Sequence, residues 1–225
     1  MKCLPWIFAA LSLVVSICSW FVPAFRKNYI AAKMLNCLMF VATAVAAAFV
    51  SGFDSYSVLI IAALLFGTLG DYLLEIGNGK GFYYGTAVFA LCHLTYIANF
   101  GFVMQPDLKK HAVFIAVNSA LLAVIAVGTY FFNKMNFPGK TKFMLIYGAV
   151  LMASYLTSLI RGYDLIVSGN VAKGAIIIAA GVMFILSDTF LAAEKFGKPR
   201  LKNGDAYVLF LYFPAQTLYA LSILF

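Results

Sequence analysis

Long apolar runs, broken by short polar connectors, recur along the whole chain. Eight such stretches stand at about 4–22, 30–50, 57–76, 82–104, 112–132, 142–160, 172–193 and 205–225. Each is near the ~20 residues that an α-helix needs to cross ~30 Å of hydrocarbon. The connectors carry turn-forming and basic residues: Pro23-Ala24-Phe25-Arg26-Lys27, Gly77-Asn78-Gly79-Lys80-Gly81, Gln105-Pro106-Asp107, Pro138-Gly139-Lys140 and Gly197-Lys198-Pro199-Arg200. The runs are continuous rather than alternating, which favours helices over a barrel. The pattern therefore predicts an all-α, polytopic membrane bundle of eight transmembrane helices. No linker or low-complexity tract divides it, so residues 1–225 form one membrane-embedded domain.

Composition agrees with the pattern. Hydrophobic residues make up 64% of the 225 and charged residues 11%, against about 25% charged in a soluble domain. The first run follows Met1-Lys2 in the manner of a signal peptide. It is long for one, however, and it ends in Trp20-Phe21 and Pro23 without a small-x-small cleavage site, so a retained first helix is expected. Cys3, Cys18, Cys37 and Cys92 show no CxxC or Cys/His ligand spacing, which argues against a disulfide framework or a structural zinc site.

Charge gives an orientation. Eleven basic residues accompany the odd-numbered loops: Arg26, Lys27, Lys33, Lys80, Lys134, Lys140, Lys142, Lys195, Lys198, Arg200 and Lys202. Five fall on the other side: Lys2, Lys109, Lys110, Arg161 and Lys173. The positive-inside rule places the odd loops in the cytoplasm and both termini on the non-cytoplasmic side. The net charge of +8 then reflects this bias and attraction to anionic membrane lipid. No folded basic surface for nucleic acid is visible. If the chain is bacterial, the plasma (inner) membrane is the expected location.

Acidic residues mark the candidate chemistry. Asp54, Asp107, Asp164, Glu194 and Asp205 fall in loops or at span ends, whereas Asp71, Glu75 and Asp188 lie within or beside apolar runs. A carboxylate at bilayer depth costs a few kcal/mol or more, so it is a functional candidate. Solvation at the interface or pairing with a lysine is the bland alternative, and it suits Glu75 better than the other two. Asp71 and Asp188 each precede the cytoplasmic end of their helix by about five residues, or ~7–8 Å. If the third and seventh helices are neighbours, the two carboxylates converge. Proximity then separates a protonated acid from an ionised base.

Other polar groups share these faces. His93 lies midway along the fourth helix, with Tyr96 and Asn99 further on, and Gln216 is about as deep in the eighth, near Tyr212 and Tyr219. By the same rise, His93 and Gln216 sit ~16 Å in. Lys33 opens the second helix, where its ammonium meets an anionic headgroup or simply snorkels. Interhelical hydrogen bonding is the structural alternative for His93 and Gln216, and close packing for Gly67, Gly70, Gly85, Gly148 and Gly181.

Four segments carry a family likeness. They are Gly70-Asp71-x-Leu73-Leu74; Phe82-x-x-Gly85-x-x-x-Phe89-x-x-x-His93-x-x-Tyr96; Phe184-x-x-Ser187-Asp188-x-x-Leu191-Ala192; and Ala215-Gln216-x-Leu218. In order and spacing the chain resembles the YhhN-like family of membrane proteins, whose characterised members are lysoplasmalogenases. It departs from a family-like Lys-Pro-Leu with Lys33-Met34-Leu35. The resemblance implies hydrolysis of the vinyl ether bond of a lysophospholipid, giving a fatty aldehyde and glycerophosphoethanolamine or glycerophosphocholine. It implies Asp71 and Asp188 as the catalytic pair, with Lys33, His93, Tyr96, Ser187 and Gln216 in binding or supporting roles.

Protonation of the vinyl ether β-carbon creates an oxocarbenium ion, which calls for a positioned acid and a nearby anion. Which aspartate is the acid stays open, because a coupled pair titrates jointly. No cofactor or metal is assigned, although Asp71, Asp188 and His93 are a conceivable ligand set for a metal-dependent lipid hydrolase. A proton-coupled transporter also places carboxylates inside a bundle, but the hydropathy shows no inverted repeat. Oligomeric state is not readable from the sequence.

Overall fold

The computed structural model describes residues 1–76, 80–103, 111–132, 134, 136, 139–199 and 203–225. All the regular structure among these residues is helical. The main helices are α1 (Leu4–Phe21), α2 (Tyr29–Ser51), α3 (Ser55–Ile76), α4 (Gly81–Ile97), α5 (Ala112–Phe132), α6 (Thr141–Val167), α7 (Val171–Phe196) and α8 (Gly204–Leu221). A five-residue helical turn, Pro23–Lys27, joins α1 to α2, and a π-helical segment, Ala98–Val103, continues α4. Among the described residues, seven of these helices are long and apolar enough to cross a membrane, and α5 contributes a shorter apolar stretch over Ala112–Ile125. The chain is an integral membrane protein.

Local chemistry sets the helix ends. Pro5 lies in the first turn of α1 and Pro23 opens the short turn that follows, the position where a missing N–H costs nothing. Gly52, at φ +107°, closes α2. Asp54 Oδ1 accepts the Ser57 N–H at 2.8 Å and Ser57 Oγ accepts the Asp54 N–H at 3.0 Å. This reciprocal cap starts α3. The Asn170 side chain caps α7 by accepting the Lys173 N–H at 3.3 Å.

Two helices run further than the apolar runs suggest. α6 runs past the 142–160 read from hydropathy to Val167, and Asp164 in its last turns finds a partner. Asp164 Oδ1 lies 2.6 Å from Nε2 of buried His111, at the start of α5. α7 extends to Phe196 rather than 193, which puts Asp188 eight residues, or ~12 Å, from that end while Asp71 remains five residues from its own. The matched depth expected from the sequence is therefore only approximate.

α8 lies at the centre, packed on α1, α2, α3 and α7. The closest pairings are α3 with α4, α7 with α8, α6 with α7 and α1 with α2, while among the described residues α5 packs on α6 and α7 alone. Polar side chains join helices where lipid gives no hydrophobic drive. Ser12 donates to Asn36 at 2.6 Å, Asn36 donates to Ser16 at 2.6 Å, and Ser12 meets Thr217 at 3.0 Å, linking α1, α2 and α8. Glycines bring other pairs close: a Cβ on Gly174 would stand 2.7 Å from the Ile166 side chain, and one on Gly162 2.8 Å from the Gly174 carbonyl. Gly148 departs from the expected packing role, since a Cβ there would meet nothing within 4 Å.

Candidate functional site

The ends of α2, α3, α4, α6, α7 and α8 that meet at the odd-numbered loops surround a cavity of about 480 Å³. Asp71 and Asp188 both line it. Among the described residues, however, α3 and α7 do not pack on one another, and neither carboxylate hydrogen-bonds the other. The two face one space from separate walls instead of forming a shared-proton dyad.

Asp71 belongs to an ionic wall. Gly70, just before it, lets Phe89 of α4 close on α3; a Cβ there would stand 2.8 Å from the Phe89 ring. This close approach buries Asp71 to 3% exposure. Lys33 Nζ, from the first turns of α2, sits 2.9 Å from Asp71 Oδ1 and donates to Glu75 Oε1 at 3.0 Å. Cys37, one turn after Lys33, places its Sγ 3.4 Å from Asp71 Oδ2. One ammonium thus faces two carboxylates. Lys33 does not wait at an open helix end for a headgroup, and Glu75 takes the lysine-paired role expected of it.

Asp188 belongs to a different wall. Its Oδ2 accepts a short hydrogen bond from the Tyr147 hydroxyl of α6. His93 Nε2 lies 3.4 Å from the same hydroxyl and 3.8 Å from the carboxylate. The imidazole is buried and packed edge-on against Phe184, with ring centroids 4.6 Å apart. Ser187, next in sequence, donates to the Val208 carbonyl at 3.3 Å and ties α7 to α8 beside the site.

Gln216 and Tyr96 support from beneath. Tyr96 donates to Gln216 Oε1 at 2.7 Å, and Gln216 Nε2 donates to the Tyr212 hydroxyl at 3.1 Å. Tyr212 lines the cavity, whereas Gln216 and Tyr96 do not. Gly67 makes room for this chain, because a Cβ there would stand 2.7 Å from Gln216 Nε2. Tyr147, Cys37 and the cavity-lining Lys140 and Lys195 are the residues sequence reasoning missed. A tyrosine or cysteine in an apolar run carries no mark of its own, and the two lysines read only as orientation charge. Among the described residues, no three His, Cys, Asp or Glu side chains group as a metal ligand set, so Asp71, Asp188 and His93 are not brought together in that way.

A model of the YhhN family matches residues 28–223, which include every element around the cavity. The chain belongs to the YhhN family. Lysoplasmalogenase TMEM86B of Homo sapiens is 30% identical over 217 residues, covering 95% of this chain and 84% of that protein. Lysoplasmalogenase TMEM86B of Sus scrofa is 29% identical over 206 residues, covering 90% and 79%. No solved structure matches the chain. Three of the four segments that carry the family likeness contribute to the cavity lining, through Asp71, Phe82 and Phe89, and Ser187-Asp188, while Ala215-Gln216 lies behind it.

Proposed function

We propose that this YhhN-family protein hydrolyses the vinyl ether bond of lysoplasmalogens, releasing a fatty aldehyde and a glycerophospho-base. The observation that carries this reading is the pair of unlike carboxylate walls on one cavity, Lys33–Asp71–Glu75 and Tyr147–Asp188–His93. The names of the relatives supply the substrate class.

Asp188 is the proton donor in this scheme. It meets a phenol and an imidazole rather than a fixed cation, so its proton is exchangeable with neighbouring groups. Protonated Asp188 transfers its proton to the β-carbon of the vinyl ether and becomes a carboxylate, while the substrate becomes an oxocarbenium ion. Two carboxylates against one ammonium leave the Asp71 wall with one net negative charge, which favours that cation across a desolvated space. Water adds to the cationic carbon and returns a proton to Asp188. The hemiacetal collapses to aldehyde as a proton passes to the glycerol oxygen. Tyr147 and His93 hold the Asp188 carboxyl in register, and Gln216 and Tyr96 fix Tyr212 below it.

Because Lys33 is engaged by carboxylates, phosphate binding is assigned to Lys140 and Lys195 on the cavity wall. We further read α5 as an eighth span, with both termini on the non-cytoplasmic side, so that the cavity opens toward the cytoplasm. The test is a substrate screen with purified protein. Alkenyl lysophospholipids should release aldehyde while their acyl and saturated ether analogues stay intact. Turnover of the acyl or saturated ether compound instead would remove the vinyl ether from the account.

A further inference from the structure

Asp188 borders two cavities. Besides the one lined by the charged side chains, a more apolar cavity of about 560 Å³ lies between α5, α6 and α7. Met144, Tyr147, Asp188 and Ala192 line both. The second is walled by Ile125 and Phe131 of α5, Leu145, Gly148 and Met152 of α6, and Ile185 of α7. Leu145 is 68% exposed and Phe131 70%, so this groove opens sideways, where the bilayer would lie. From Asn136 and Thr141 near the loop end to Met152 and Ile185 deeper in, its lining on α6 covers eleven residue steps, or ~16 Å of helix.

Gly148 gives a second, independent sign. The helix glycines Gly67, Gly70 and Gly85 each leave out a Cβ that would press on a neighbour, whereas Gly148 leaves out one that would meet nothing. A mid-helix glycine lowers helix propensity, and here no packing among the described residues offsets that. What it leaves is open width in the groove, one residue after Tyr147.

A lysolipid has one polar headgroup and one hydrocarbon chain, joined where the scissile bond lies. An ion-lined and a more apolar cavity that meet at one carboxylate divide the molecule in the same place. We infer that the groove between α5, α6 and α7 holds the single alkenyl chain of the substrate, entering from the bilayer, with the vinyl ether at Asp188 and the headgroup in the ion-lined cavity. This rests on the hydrolytic reading above for the identity of the chain, though the groove itself does not.

Two measurements separate the two claims. In turnover assays with octenyl and octadecenyl substrates sharing one headgroup, Met152→Trp narrows the groove at its deep end and Gly148→Phe narrows it beside Tyr147. Each methylene excluded from an apolar site weakens binding about fourfold, so loss of two or more should lower kcat/KM for the octadecenyl chain by about tenfold or more. Met152→Trp should leave the octenyl chain within about threefold of wild type, whereas Gly148→Phe, beside the scissile end, should lower turnover of both chains. Gly148→Ala serves as the folding control. Equal loss on both chains in Met152→Trp, or no loss in either variant, would overturn the placement.

The second measurement needs no turnover. A lysophospholipid carrying a photoreactive group at its chain terminus, incorporated in vesicles with the full-length protein, should label α5–α7 peptides in the wild type. Gly148→Phe should reduce that labelling. Labelling confined to α1 and α2 would overturn the groove assignment, whereas wild-type protein that labels α5–α7 but releases no aldehyde would overturn the hydrolytic reading alone.

Discussion

Two aspartates that look alike in sequence occupy unlike surroundings. Asp71 is locked between a lysine and a thiol, with a second carboxylate on the same lysine, and its wall is an ion cluster. Asp188 accepts a hydrogen bond from a phenol, lies near an imidazole, and borders both the ion-lined cavity and the apolar groove. The contrast teaches that buried charge in a membrane protein need not signal one role. A carboxylate with a fixed countercharge supplies a field, whereas one held by a phenol and an imidazole suits the proton-donor role proposed for it.

Breaking the ion cluster should have the largest effect on stability. Lys33→Met leaves the Asp71 carboxylate buried and unpaired, and removal of one partner of such a pair costs about 3–5 kcal/mol. Thermal unfolding in detergent should show a marked drop, and the double variant Lys33→Met/Asp71→Asn should recover much of it. An unchanged melting temperature in Lys33→Met would show that the cluster does not hold the bundle.

On the Asp188 wall the corresponding change should act on turnover more than on stability. Tyr147→Phe removes one hydrogen bond to a carboxylate, worth about 1.5–3 kcal/mol, so kcat should fall roughly tenfold to a hundredfold while the helix content by circular dichroism is retained. A pure KM effect would instead place Tyr147 at the substrate rather than behind Asp188.

The smallest effect should come from a carboxylate outside both walls. Asp54 caps α3, and the Ser57 backbone N–H that it accepts holds its carboxyl below the usual carboxylate range. Asp54→Ala should cost about 1 kcal/mol of stability and leave turnover unaltered. With the folded-state pKa depressed, the contribution is present above the unfolded value of about 3.9 and is lost as pH falls through the lowered folded value. The melting temperatures of wild type and variant should therefore converge only in strong acid.

Much of this was legible in the order of residues. Apolar runs located the helices, with the end of α6 seven residues further on, and the cost of burying Asp71 and Asp188 singled them out before any contact was known. Glu75 pairing with a lysine was also readable, because charge near a helix end seeks a partner. The partner's identity was not, since Lys33 lies forty-two positions away in sequence and only tertiary packing brings it in. Tyr147 was invisible for a related reason: a phenol inside an apolar run has the same pattern whether it packs or donates. Gly148 misled in the opposite direction, because a small residue that spares a gap reads like one that admits a helix. The extra turns of α6 and α7 escaped because hydropathy ends where Arg161, Asp164 and Lys195 begin, although hydrogen bonding continues the helix.

The comparison between the two walls reduces to one measurement, aldehyde release from an alkenyl lysophospholipid by wild type, Asp188→Asn and Asp71→Asn in parallel, each checked for intact folding. The account predicts a fall of about a thousandfold or more for Asp188→Asn, the loss of a positioned general acid, and a smaller but clear fall for Asp71→Asn. Wild-type turnover by a folded Asp188→Asn protein would contradict it.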